Sequence, residues 1–198
     1  MRSIILTILC LVNIFSASAA HADNSNRFLS KYIGQENREI KSLSEEDIKE
    51  LSTGSGWGLA KVAELNGLPG PKHILEMKEK IQLSKEQEQG IMRLFETMHE
   101  RAVELGHVFI GLEKELNNRF ATKTIDEKVL RELLEKLSKT HMELRFVHLS
   151  THLKTPNILS KSQIEKYNRL RGYFAENPCR DIPKGHDPVM WRKHNNCE

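Results

Sequence analysis

The sequence predicts an all-α protein built on one long antiparallel helical hairpin with short flanking helices. Two observations carry this. From Ile91 through Phe95, Met98, Ala102, Leu105, Phe109, Leu112, Leu116 and Phe120, apolar residues recur at alternating spacings of three and four, which places one stripe on a single long helix. A second arm repeats the pattern with Leu130, Leu133, Leu137 and Leu144, and no stretch shows the alternation of a strand.

The elements follow in order. Residues 1–22 read as a signal peptide: Arg2 gives a positive start, Ile4 to Phe15 an apolar core, and Ala17-Ser18-Ala19 or Ala20-His21-Ala22 a cleavage site. The apolar run is short for a bilayer span, so an exported protein that is not integral to the membrane is expected. Residues 23–43 read as a flexible lead-in, with a helix allowed from Tyr32 to Lys41. Ser44 caps a helix running to Ser52, and Thr53-Gly54-Ser55-Gly56-Trp57-Gly58 breaks the chain. A short helix over Leu59–Leu65 ends at Asn66-Gly67, and Pro69-Gly70-Pro71 turns into another through His73 and Met77. The long arms then run from Ser84 to about Ala121 and, past a turn at Thr122–Asp126, to about Lys154. Ser160 caps a last helix that stops at Gly172, closing a helical domain over 44–173. The prolines, glycine and asparagines of 174–198 predict an irregular tail.

Composition excludes some functions. With 30 basic and 27 acidic residues interleaved, no basic stripe for nucleic acid emerges. Beyond the leader the cysteines are Cys179 and Cys197, which in an oxidising compartment read as one disulfide closing the tail. The His148-Leu149-Ser150-Thr151-His152 run has metalloprotease histidine spacing but lacks the glutamate base, and no Gly-x-Ser-x-Gly turn occurs, so catalysis is not expected.

The most specific chemistry is a histidine stripe. At about 100° per residue, His141, His148 and His152 fall within roughly 40° of the line through Leu130, Leu134 and Leu137. An antiparallel turn near Lys123-Thr124 sets His148 level with His99 beside Met98, His152 near Phe95, and His141 opposite Gly106, whose missing side chain leaves room for a ring. Met98, His99, His148 and His152 are thus a candidate metal site, with His141 a weaker member. Imidazole and thioether suit copper, whereas imidazole and carboxylate suit zinc, nickel or cobalt; none of these ions is required by the sequence. Packing histidines and a pH response are competing readings of the same stripe. His186, Met190, His194 and Cys197 form a second candidate in the tail.

The signals Leu83-Ser84-Lys85-Glu86-Gln87 and Leu159-Ser160-Lys161-Ser162-Gln163, flanking the hairpin behind a leader, resemble the Leu-Thr-x-x-Gln repeats of the Spy/CpxP superfamily of periplasmic stress proteins, chaperones and heavy-metal sensors. Serine replaces threonine at both sites, and either residue can cap a helix. The resemblance covers roughly Leu83 to Tyr173. It implies a periplasmic, cradle-shaped homodimer acting as an ATP-independent chaperone or envelope-stress adaptor, with unfolded clients or a membrane-anchored sensor as partner. Arg93, Arg101 and Lys114 are candidates for its client surface. A heavy-metal sensor or resistance protein using the histidine stripe is the alternative, and a non-catalytic interaction protein for a membrane partner a further one.

Overall fold

A computed structural model describes residues 28–173, 179, 182 and 184–197. The predicted leader and cleavage sites lie outside these residues. The chain divides into two units, Met1–Glu36 and Asn37–Glu198. In the first, the described residues 28–36 are mostly turns. The only helical turn near the expected Tyr32–Lys41 helix is a 3-10 turn at Gln35–Asn37, because Gly34 takes a left-handed φ of 88° that interrupts any α-helix there.

The second unit begins before the expected end of the lead-in: Ile40 and Leu43 are already buried. It contains α1 (Glu45–Ser52), α2 (Lys61–Leu65), α3 (Pro71–Glu76), α4 (Lys78–Ile81), α5 (Lys85–Ala121), α6 (Glu127–Lys154), α7 (Lys161–Leu170) and α8 (Pro188–His194). Among the described residues there is no strand, and no helix is long and apolar enough to cross a membrane. The helix α8 corrects the expectation of an irregular tail. Asp187 accepts from the Met190 amide, and Pro188 sits in the first turn, where its missing N–H costs nothing.

Helices α5 and α6 form the hairpin, α1 and α3 pack on α5, α2 packs on α6, and α4 meets α7. Lys123 takes the left-handed conformation in the turn, and Asp126 caps α6 through the Val129 amide. The apolar stripe of α5 is buried at Ile91, Met98, Ala102, Leu105 and Phe109. It thins toward the turn, where Phe120 is exposed.

The two Ser-x-x-Gln signals are a mutual clasp. Ser84 and Ser160 each cap their own helix, accepting from Gln87 and Gln163 backbone amides, while each glutamine oxygen returns to its serine N–H. The glutamine amides then cross. Gln87 donates to the Ile158 carbonyl at 2.8 Å and to Gln163 Oε1 at 3.0 Å; Gln163 donates to the Gln82 carbonyl at 3.1 Å and to Gln87 Oε1 at 3.0 Å. The motif is repeated because each copy completes the other, fixing the base of the hairpin.

The apolar core falls into two clusters. One joins Ile40, Leu43, Leu51 and Leu59 to Leu105, Phe109, Leu137 and Leu144; the other, at the base, holds Ile74, Ile81, Ile91, Leu159 and Tyr167. Each such aliphatic side chain contributes about 1.5–3 kcal/mol when fully buried. Glycine sets the closest approach in the first cluster: a Cβ on Gly106 would lie 2.0 Å from the Leu51 carbonyl oxygen. The space the sequence assigned to the His141 ring is therefore filled by the end of α1.

Candidate functional site

Along the hairpin, the interval between the two clusters is occupied by Phe95, Met98 and His99 on α5 and His148 and His152 on α6. The segment from Thr53 to His73 lies over this interval, and together they line a partly open cavity of about 330 Å³. Four of the nine histidines in the chain line it: His73, His99, His148 and His152. Met98, Phe95, Pro71 and Ala60 supply apolar wall, and Lys61, Lys72 and Glu64 the charged groups.

Two glycines let the covering segment approach. Gly54 has a left-handed φ of 61°, and a Cβ there would stand 3.0 Å from both Nδ1 and the carbonyl oxygen of His99. A Cβ on Gly70 would stand 2.8 Å from Cε1 and 2.9 Å from Nε2 of His152. Side chains from α6, the 3-10 turn Thr155–Asn157 that follows it, and α7 hold the segment by three successive carbonyls. Asn168 Nδ2 donates to Gly67, His152 Nδ1 to Leu68 at 2.8 Å, and Thr155 Oγ1 to Pro69 at 2.8 Å. A carbonyl only accepts, so Nδ1 of His152 is the donor in this contact, which orients the ring as the second nitrogen of a histidine ligand is oriented.

Glu64 ties the cavity wall to the end of the domain. Its Oε1 accepts from Tyr167 Oη at 2.5 Å, Tyr173 Oη at 3.0 Å and Arg171 Nε at 3.2 Å; its Oε2 accepts from the Gly70 amide at 3.3 Å. Burial, the Glu64 hydrogen bond and its negative charge together raise the Tyr167 pKa, so this phenol stays a donor at any physiological pH.

His148 is different. It is 3% exposed, and its Nε2, sealed from solvent, has no hydrogen-bond partner. Burial, and then the charge of His152, push its pKa down to about 4, so the ring is neutral near pH 7. An unpaired buried polar atom costs about 1–3 kcal/mol; Asn168 Oδ1 on α7 is another such atom, but His148 is the one that lines the cavity.

Of the predicted stripe, the structure thus brings Met98, His99, His148 and His152 to one cavity. As placed, no three His, Cys, Asp or Glu side chains among the described residues lie close enough to share an ion; the donors surround the cavity instead of meeting at a point. His99 stacks on Phe95 at 5.4 Å between ring centroids. His141 lies elsewhere, edge-on to Trp57 at 6.0 Å and near Phe109, and lines a separate groove with Leu59 and Arg145. Leu134, on the same line as the histidines, is exposed. The tail residues do not form a second metal site with a thiolate: Cys179 and Cys197 are joined in a disulfide, with Cα atoms 5.4 Å apart. His186 packs on Trp191, and His194 Nδ1 lies 2.8 Å from the Met190 carbonyl. Of the proposed client residues, Arg93 is exposed, Arg101 pairs with Glu104, and Lys114 pairs with Glu39.

Sequence reasoning missed Glu64, His73 and the two glycines. The signal was present in Glu64-Leu65-Asn66-Gly67-Leu68-Pro69-Gly70-Pro71 and His73, but periodicity along the arms says nothing about what a turn-rich segment covers. Among known protein families, curated proteins and solved structures, none matches the chain.

Proposed function

We propose that the protein is an exported, non-catalytic metal-binding protein that captures a transition-metal ion in the histidine cavity and acts as an envelope sensor or buffer. One observation carries the reading: His148, neutral and buried in the cavity wall, has an Nε2 with no partner. A bound ion gives that nitrogen the partner it lacks, with His152 four residues on the same helix and its Nδ1 already anchored. Binding requires the surrounding donors to turn inward, so capture and a change in the cavity wall occur together, as a sensor needs. Calorimetric titration of metal-free protein with copper, zinc, nickel and cobalt tests this. The reading expects one ion per chain, lost in His148→Leu; absence of saturable binding to the unsubstituted protein would sink it.

A second reading, the Spy/CpxP-type chaperone or adaptor, is supported by a separate observation on α6. Met142, Phe146, Leu149 and Leu153 recur at spacings of four, three and four on a face turned away from the core. Met142, Phe146 and Leu153 are 51%, 63% and 65% exposed, and Leu149 is half-buried. This is the spacing of a helix-pairing seam without a partner, suited to a second copy of the chain or to apolar segments of unfolded clients. Suppression of client aggregation that disappears in Phe146→Ser/Leu153→Ser is the expected result; equal suppression by the variant removes this reading.

A further inference from the structure

We infer that the ion taken by the cavity is copper in its cuprous state. The inference rests on the metal-binding reading above and narrows the four metals left open there to one.

Burial ranks the donors that line the cavity. Met98, His148 and His152 are buried, at 8%, 3% and 6% exposure, while His73 and His99 are half-buried, the first paired with Glu76 at 2.8 Å and the second stacked on the Phe95 ring. The most buried donors are therefore two imidazoles and one thioether. A thioether is a soft donor that adds much to the affinity for cuprous copper and little to that for zinc, nickel or cobalt. Cuprous copper, with a filled d shell, is satisfied by two or three nitrogen and sulfur donors. The dications take four or more, drawn from imidazole, thiolate, carboxylate and water.

The carboxylate available is not free. Glu64 is the one acid among the described lining residues, and both its oxygens are engaged by Tyr167, Tyr173, Arg171 and the Gly70 amide. Recruiting it for a dication would dismantle the contacts that hold α7 to the wall. Charge points the same way: Lys61 and Lys72 line the cavity, and the desolvation cost of an ion rises with the square of its charge, so one positive charge enters more readily than two.

The test is an anaerobic titration of metal-free protein with copper(I) against the chromophoric chelator bicinchoninate, with parallel titrations by zinc, nickel and cobalt. The variants are Met98→Leu, which keeps the volume of the side chain, and His148→Leu. The expected result is one copper(I) per chain, with affinity about tenfold or more weaker in Met98→Leu while zinc binding is unchanged between the two proteins. X-ray absorption on the loaded unsubstituted protein should show sulfur beside nitrogen scatterers, a reading independent of whether any variant folds. Zinc, nickel or cobalt binding lost in His148→Leu, with copper(I) weaker or indifferent to Met98, would overturn the cuprous assignment and leave the metal site standing. No ion bound above the level of His148→Leu would remove both.

Discussion

Two polar clusters sit against the same hairpin, a half-buried clasp at its base and the buried histidines of the cavity wall, and they are built to opposite rules. In the base clasp, Gln87 and Gln163 place their amides on each other, on a serine N–H and on a backbone carbonyl, so the pair is closed. The Glu64 knot beside it is nearly as complete. In the cavity wall, by contrast, His148 leaves a nitrogen sealed from solvent and without a partner. The clasp closes its polar groups on one another within the chain. Among the described residues His148 Nε2 and Asn168 Oδ1 are left open, and the first of these belongs to the cavity wall, where a ligand can be proposed.

The comparison can be broken at each side. The largest effect is expected where packing alone rules: Gly106→Ala sets a Cβ against the Leu51 carbonyl, so α1 must move off α5, and chemical denaturation should show a loss of roughly 3 kcal/mol or more. Next, Glu64→Ala strands the buried Tyr167 hydroxyl and should cost about 2–3 kcal/mol by the same measurement.

His148 gives a pH signature of similar size. Its folded pKa, about 4, lies below the ordinary histidine value of 6.5, so the unfolded chain binds the proton more readily. The stability from keeping the ring neutral is complete above about pH 6.5 and is lost as pH falls through 6.5 toward 4, by about 3 kcal/mol in all. Denaturation at pH 7 and pH 4 of the unsubstituted protein and His148→Leu checks this: the variant should show the shallower decline. Smallest is the clasp: Gln87→Ala or Gln163→Ala should cost about 1–2 kcal/mol, and a double-mutant cycle should return a coupling of about 0.5–1.5 kcal/mol, since one crossed contact serves both.

Much of the fold was legible because its signals are local. The Ser44, Ser84 and Ser160 caps, the turn at Thr122–Asp126 and the three-four spacing of Ile91 to Phe109 each act within one or two helical turns. Helical phase also brought Met98, His99, His148 and His152 to one level, since a hairpin converts chain distance into height. What the sequence could not convey was contact at long range. That Leu51 fills the notch of Gly106, that His152 grips the Leu68 carbonyl, and that Glu64 reaches Tyr167 all depend on where the Thr53–His73 segment is laid, and its turns carry no period to read. His141 shows the limit of phase alone: it shares a line with His148, yet Trp57 claims it.

The central claim, that the histidine cavity exists for a ligand and not for packing, is tested most directly by the thermal unfolding of the unsubstituted protein and His148→Leu at pH 7, each without metal and with the ion that titration identifies. The account predicts that without metal the variant is at least as stable, because it removes an unpaired buried nitrogen. It also predicts that saturating ion at about 100 times Kd stabilises the unsubstituted protein alone, by about 2.7 kcal/mol. A variant weaker by about 2 kcal/mol or more, with neither protein shifted by any of the four metals, would make His148 a packing residue and contradict the account.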